Sequence, residues 1–240
     1  MTAFNIKVIA LITMLIDHTG AVLDLPMGFR VVGRLAFPLF VYLIAEACHH
    51  TRSMEKLILR LGLFALISEI PFDLALNQRT GMPLFDFFNR TNIFYTLTLG
   101  VACVYLCKKM LDKKYWLLLP VPVIGAVWLA QWLSTDYGGI GVLFIVSMAM
   151  VGYLKENVKV WQLVVLAVFC IWIYLPFDSV GLDGTGMTIN LGNVILLVAS
   201  LVALPIIWVA NGQRGRSMKW FFYAAYPVHL LVLAGIAWLI

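Results

Sequence analysis

The sequence predicts an all-α membrane protein, a transmembrane bundle of about nine helices forming one domain over residues 1–240. Three observations carry that prediction. Of the 240 residues, 62 % are hydrophobic and 12 % charged, whereas a soluble domain carries about 25 % charged residues; the mean hydropathy is +0.95. Nine apolar runs approach the roughly 20 residues that cross about 30 Å of hydrocarbon. Short loops containing Gly, Asn, Pro or charges separate them.

The first run, residues 4–24, contains "LIDHTGAVL". It leads into Asp17 and His18 rather than a small-residue cleavage site, so it reads as a span and not as a cleaved leader. Residues 30–48 follow, with Arg34 near one end and Glu46 near the other. The third run, 57–76, carries Arg60, Glu69 and Asp73, and the fourth, 92–110, opens on "TNIFYT". Runs 115–133 and 138–154 flank "STDYGG", and 160–176 is apolar almost throughout. The last two are 190–210 and 220–239, the latter with Tyr226 and His229 in "YPVH". Cys48, Cys103, Cys107 and Cys170 lie in or beside these runs, with no His or carboxylate spaced to complete a metal set; they read as packing residues, and no metal is expected.

The net charge of +5 reads as topology rather than as a nucleic-acid partner. With the N-terminus inside, Lys7 and the stretches "HHTRSMEK", "KKMLDKK", "KENVK" and "NGQRGRSMK" collect, with their flanks, 13 of the 17 Lys and Arg residues on the cytoplasmic face. Arg30, Arg34, Arg79 and Arg90 fall on the other face, where the later loops "STDYGG" and "PFDSVGLDGTG" carry only acids. The asymmetry predicts an N-in, C-out chain.

Ionisable groups inside a span cost about 2.5–3.5 kcal/mol each on insertion scales and persist where they have a partner or a task. Counting about 1.5 Å per residue from the inner face puts Asp17 and His18 at about 20 Å, Arg34 at about 24 Å and Glu69 at about 18 Å. The same count gives about 24 Å for Asp73, about 22 Å for Thr96 and about 14 Å for His229. Groups on five helices at comparable depth predict a polar pocket opening outward; the alternative is an interhelical network that fixes helix register. Glu69 and Asp73 share one face of their helix, as do Thr13, Asp17, Gly20 and Asp24. Adjacent residues on a helix do not face each other, so Arg34 is the natural partner of Asp17, and His18 is left facing the cavity or the ninth span. Glu46 and Arg60 reach similar depth on consecutive helices, as an ion pair or as a point where Arg60 admits an anionic ligand.

No G-x-S-x-G, H-E-x-x-H, Walker A or G-x-G-x-x-G pattern is present. The His-x4-Asp pattern of glycerolipid acyltransferases is missing too. What remains is imidazole with carboxylates and an arginine, suited to general base catalysis near neutral pH or to proton relay in a transporter.

Six stretches in order, "LIDHTGAVL", "VGRLAFPLFVYLIAEA", "LGLFALISEIPFD", "TNIFYTLTLG", "STDYGGIGVL" and "FFYAAYPVHLLVL", resemble the TraX family of integral membrane proteins, whose namesake is associated with N-terminal acetylation of conjugative pilin. The resemblance implies acetyl transfer from acetyl-CoA to an amine in the bacterial cytoplasmic membrane, akin to multi-span acyltransferases that use a buried His. The acceptor would be the N-terminus of an exported peptide or pilin-like protein. The matched positions are Asp17, His18, Arg34, Glu69, Asn92, Thr96, Asp136, Tyr137, Tyr226 and His229. Within that set His18 is the expected base, with Asp17 beside it and His229 as alternative base or acetyl carrier. Arg34, Glu69, Asp73, Asn92, Thr96, Asp136, Tyr137 and Tyr226 are expected to bind the acceptor, with Arg34, Asn92 or Thr96 donating to the oxyanion. Arg52, Lys56, Arg60 and Glu46 are expected at the coenzyme. A permease using His18, Glu69 and His229 as a relay, a non-catalytic assembly factor, and an O-acetyltransferase acting on a glycan remain alternatives.

Overall fold

A computed structural model describes residues 1–77, 90–154, 156–174 and 191–239. Arg79, Lys155 and the loop "PFDSVGLDGTG" at 176–186 lie outside the described residues, as do the facing ends of the 160–176 and 190–210 runs.

Each apolar run is helical among the described residues, and local chemistry sets the ends. Helix α1, Ala3–Val22, starts where the Thr2 hydroxyl accepts from the Asn5 amide, and it stops before Asp24, which turns the chain at φ 52°. Asp24 therefore leaves the stripe begun by Thr13, Asp17 and Gly20, because the helix ends before reaching it. The second span is broken. Helix α2, Gly28–Gly33, and helix α3, Ala36–His50, are joined through Arg34 and Leu35, whose amides reach back three residues to Val31 and Val32. Ser53 caps α4, Met54–Phe72, by accepting from the Lys56 amide at 3.2 Å. Pro71 lies inside the last turn of α4 and the chain widens at once into a π-helical turn, Asp73–Asn77, as expected where a backbone donor is removed.

Asn92 caps α5, Ile93–Asp112, through the Phe94 amide. A 3-10 turn at Trp116–Leu118 precedes α6, Pro120–Trp132, whose first residue is a proline that has no donor to lose. Then come α7, Gly138–Leu154, and α8, Val158–Tyr174. The eighth run divides at Val202 into α9, Leu191–Leu201, and α10, Ala203–Trp208; the ninth is α11, Lys219–Leu239.

Five of these segments, Ala3–Val22, Gly28–His50, Ile93–Asp112, Leu191–Trp208 and Lys219–Leu239, are long and apolar enough to cross a bilayer. Trp116–Trp132, Gly138–Tyr153 and Val158–Tyr174 are shorter apolar helices, while α4 carries Glu55, Lys56, Arg60 and Glu69. The chain is a multi-pass membrane protein. Its most buried candidate span is Gly28–His50, which comprises α2 and α3 and is 56 % buried, whereas those of α9–α10 and α11 are 22 % buried. Helix α7 sits against α3, α5, α6 and α8, with Phe144 packed on Phe37 and Phe169. Close approach depends on small residues, since lipid offers no hydrophobic drive for helices to associate. A Cβ on Gly100 would come within 2.8 Å of Ile145 across the α5–α7 contact. Helix α1 packs on α2, α3 and α11, and α4 on α5 and α11, which brings the polar residues of five helices to one region.

Candidate functional site

Asp17 is clamped by two arginines. Arg34 Nη2 donates to its Oδ1 at 2.7 Å and Arg30 Nη1 to its Oδ2 at 2.8 Å; Arg30 also donates to the Asp17 carbonyl at 3.3 Å. The broken second span makes this possible, because α2 and its following turn supply both arginines from one side of α1. Gly33 faces the carboxylate so closely that a side chain there would overlap it, and Gly20 likewise makes room for Phe29. Arg34 also donates from Nε to the Arg30 carbonyl at 3.1 Å, so its guanidinium is fixed at two points.

His18 turns away from Asp17 and meets α11. Its Nδ1 lies 2.6 Å from His229 Nε2, and His229 Nδ1 lies 2.7 Å from the Ala225 carbonyl one turn back on α11. The ring planes agree within 5° and the centroids are 4.9 Å apart, the N···N distance plus a ring radius at either side; the imidazoles share a plane rather than stack. A carbonyl only accepts, so His229 carries its proton on Nδ1 and, when neutral, accepts at Nε2. His18 must then donate from Nδ1, and its lone pair is at Nε2. Tyr226 meets both rings edge to face, at 5.8 and 5.6 Å between centroids.

The loops before α5 and before α7 are stitched beside this pair. Thr91 N donates to the Ser134 carbonyl at 3.1 Å and Asp136 N to the Thr91 carbonyl at 3.0 Å, the two bonds of an isolated parallel bridge between Thr91 and Thr135. The bridge sets Arg90 3.9 Å from Asp136. Tyr137 follows in the left-handed region at φ 63°, rare for a bulky residue, with its ring stacked on Phe37 at 3.6 Å.

Two cavities meet here. The larger, about 870 Å³, runs from Lys7, Arg52, Arg60, Arg214 and Lys219 past apolar walls such as Leu43, Leu61 and Phe94 to Asp17 and His18. The smaller, about 320 Å³, is lined by Arg30, Arg34, Arg90 and Phe72. The linings share Asp17, His18, Asp136 and Tyr137 among the described residues. Five of the basic residues read from the sequence as inner line the first cavity, and three of those read as outer line the second.

The remaining sequence-predicted positions divide by helix azimuth. Tyr226, Glu46, Arg52 and Arg60 line the larger cavity; Lys56 is exposed and lines neither. Glu69, Asp73, Asn92 and Thr96 are buried and line neither cavity. Glu69 accepts from both the amide and the side chain of Asn92, whose Nδ2 also reaches the Ala65 carbonyl at 2.8 Å, tying α4 to α5. Thr96 donates to the Asp136 carbonyl and holds the "STDYGG" loop down. Of the three expected oxyanion donors only Arg34 therefore lines a cavity. The ion pair expected between Glu46 and Arg60 does not form: Glu46 accepts from Gln162 at 3.2 Å and lies 3.5 Å from His50 on its own helix, because α8 reaches it first. Arg60 Nε is buried without a partner. The sequence does not by itself place Arg30 and Arg90 on the smaller cavity or Lys7, Arg214 and Lys219 on the larger; its signal for them is the clustering of cations at the two ends.

A family model described as TraX protein matches residues 3–237. A relative from Dichelobacter nodosus, described as "Probable fimbrial assembly protein FimC, serogroup H1", is 27 % identical over 246 residues, covering 98 % of this chain and 95 % of that protein. No solved structure matches.

Proposed function

This chain belongs to the TraX family, and from that premise we propose that it is a membrane acetyltransferase that moves an acetyl group from acetyl-CoA to an amine, with His18 as general base. One observation carries the reading: an imidazole whose tautomer is set through a second histidine by a backbone carbonyl borders two cavities that approach it from different ends.

An α-amino group has a pKa of about 7.7–8.0 and must lose a proton to attack a thioester. The neutral amine, its ammonium proton already lost to solvent, attacks, and His18 Nε2 takes an N–H proton from it as the nitrogen bonds to the acyl carbon. The C–S bond then breaks, and the same imidazole returns the proton to the departing thiolate, leaving an amide and a thiol. His229 stabilises the imidazolium by accepting from Nδ1 throughout, and it is itself anchored to Ala225. Asp17, ion-paired with Arg30 and Arg34, holds α2 against the catalytic turn of α1 rather than touching the base.

The larger cavity suits the donor. Its size falls in the range of about 300–1,000 Å³ typical of ligand sites, and its cationic end would hold phosphates while the acyl arm follows the apolar walls. With the chain N-in and C-out in the cytoplasmic membrane, that end faces the coenzyme pool and the acceptor enters past Arg30 and Arg90. The relative's description as a fimbrial assembly protein supports a pilin-like exported acceptor. The relay alternative requires Glu69 in the path; Glu69 is bonded to Asn92 and lines neither cavity, which favours acyl transfer.

The test is to incubate purified protein in detergent with labelled acetyl-CoA and a panel of peptide amines, glycans and hydroxyl acceptors, beside a His18→Ala control. Label appears on an amine with wild type alone. Absence of both coenzyme binding and thioester loss in folded wild-type protein refutes the reading, and label on a hydroxyl would move it to O-acetylation.

A further inference from the structure

We infer that the Tyr137 ring is a partition that narrows the junction of the two cavities, leaving room beside His18 for an amine to meet the acyl carbon but not for a continuous water-filled pore through the membrane. The two linings share Asp17, His18, Asp136 and Tyr137. Two of these are already held in place by other bonds: Asp17 by its two arginines, His18 by His229. Asp136 is a short side chain drawn toward Arg90. Tyr137 alone brings a large apolar surface to the boundary, and its conformation is maintained at a cost.

The backbone at Tyr137 sits at φ 63° and the following Gly138 at φ 51°. A bulky residue in that region is strained, and such strain persists where surrounding contacts over-determine it. The ring lies within 7° of parallel on Phe37. A Cβ on Gly141 would come within 2.8 Å of Tyr137 Cβ and of Thr96, so the helix beneath is cut back to seat the loop. Thr96 bonds the Asp136 carbonyl, and the Thr91–Thr135 bridge fixes the loop from the other side. Glycine would satisfy the backbone better than tyrosine here, so the ring itself is what the position supplies.

The need for a partition follows from the cavities' reach. The larger has its basic residues at one end, and the smaller is lined by Arg30 and Arg90, whose side chains remain 34 % and 41 % exposed. An opening between them would let protons and water cross the bilayer, and it would let water reach the acyl donor. In that side reaction water attacks the thioester carbonyl, the C–S bond breaks, and a water proton passes to the thiolate, giving a carboxylic acid and a free thiol. Closing a site against water is a recognised defence against such hydrolysis.

The experiment uses the full chain in liposomes holding a pH-sensitive dye, with a proton gradient imposed from outside. Wild type and Tyr137→Phe, which keeps the ring, hold the gradient. Tyr137→Ala and Tyr137→Gly lose it at least about tenfold faster, the barrier being steric exclusion of water. Tyr137→Gly relieves the backbone strain, so it decides the matter if Tyr137→Ala fails to fold. In detergent, the same two variants consume acetyl-CoA without an acceptor; this second readout alone rests on the acyl-transfer reading. A leak without thioester loss supports the partition and counts against that reading. Folded Tyr137→Gly protein that holds the gradient as well as wild type overturns the inference, and so does Tyr137→Phe leaking as fast as Tyr137→Gly.

Discussion

Replacing His229 probes the core of the proposed chemistry. In His229→Ala, His18 Nδ1 loses the acceptor now 2.6 Å away, and nothing conveys the Ala225 carbonyl's preference for one tautomer to His18. In the transition state His18 carries the proton and a positive charge, so the lost bond is one to a charged donor, worth about 1.5–3 kcal/mol. At about 1.4 kcal/mol per tenfold in rate, kcat falls roughly 10- to 150-fold. KM for the donor is unchanged, because the bond strengthens only as the base is protonated. His229→Gln offers a carbonyl oxygen at similar reach and recovers part of the loss. The assay is thiol release from acetyl-CoA in detergent, with a peptide amine as acceptor and thermal unfolding as the fold control. Equal activity in wild type and His229→Ala, or a glutamine variant no better than alanine, refutes the tautomer coupling.

Gly33→Ala places a methyl group on the Asp17 carboxylate, forcing α2 away from α1; the expected cost is about 1–3 kcal/mol, read as a lower unfolding temperature in detergent. Arg34→Ala lowers that temperature more than Arg30→Ala, since the Arg34 side chain is 14 % exposed against 34 % and its truncation leaves Asp17 Oδ1 without its more buried charged donor. Neutralising Arg60 and Arg214 at the basic end raises KM for acetyl-CoA severalfold at low salt with kcat little changed, and the effect shrinks as ionic strength rises. All four native cysteines are buried, so single exposed cysteines report topology: a membrane-impermeant maleimide labels Met27→Cys in intact cells and Ser217→Cys only after permeabilisation.

How much of this could be read from the chain follows from what burial costs. A charge inside an apolar run is expensive at its own position, so Asp17, His18, Arg34, Glu69 and His229 are visible one residue at a time, as is the segregation of lysine and arginine. Helical spacing also separates neighbours, which is why the sequence pairs Asp17 with Arg34 and leaves His18 to the cavity or the ninth span. Counting residues along a span, however, gives depth and nothing about azimuth. Glu69, Asn92 and Thr96 stand near the level of His18, yet they face α4, α5 and the "STDYGG" loop and are spent on holding those elements together. Glu46 stands level with Arg60 and bonds Gln162 on α8 instead.

The sequence by itself determined the nine runs, their polar residues and the sorting of cations to two ends, because each of these is a cost borne locally within one stretch of chain. The tertiary structure alone decided that residues 211 apart in sequence share one proton, that a break after Gly33 brings two arginines onto one carboxylate, and which polar groups face a cavity. Those outcomes depend on which helix packs beside which and on how each is rotated about its axis, and both are set by contacts between side chains far apart along the chain.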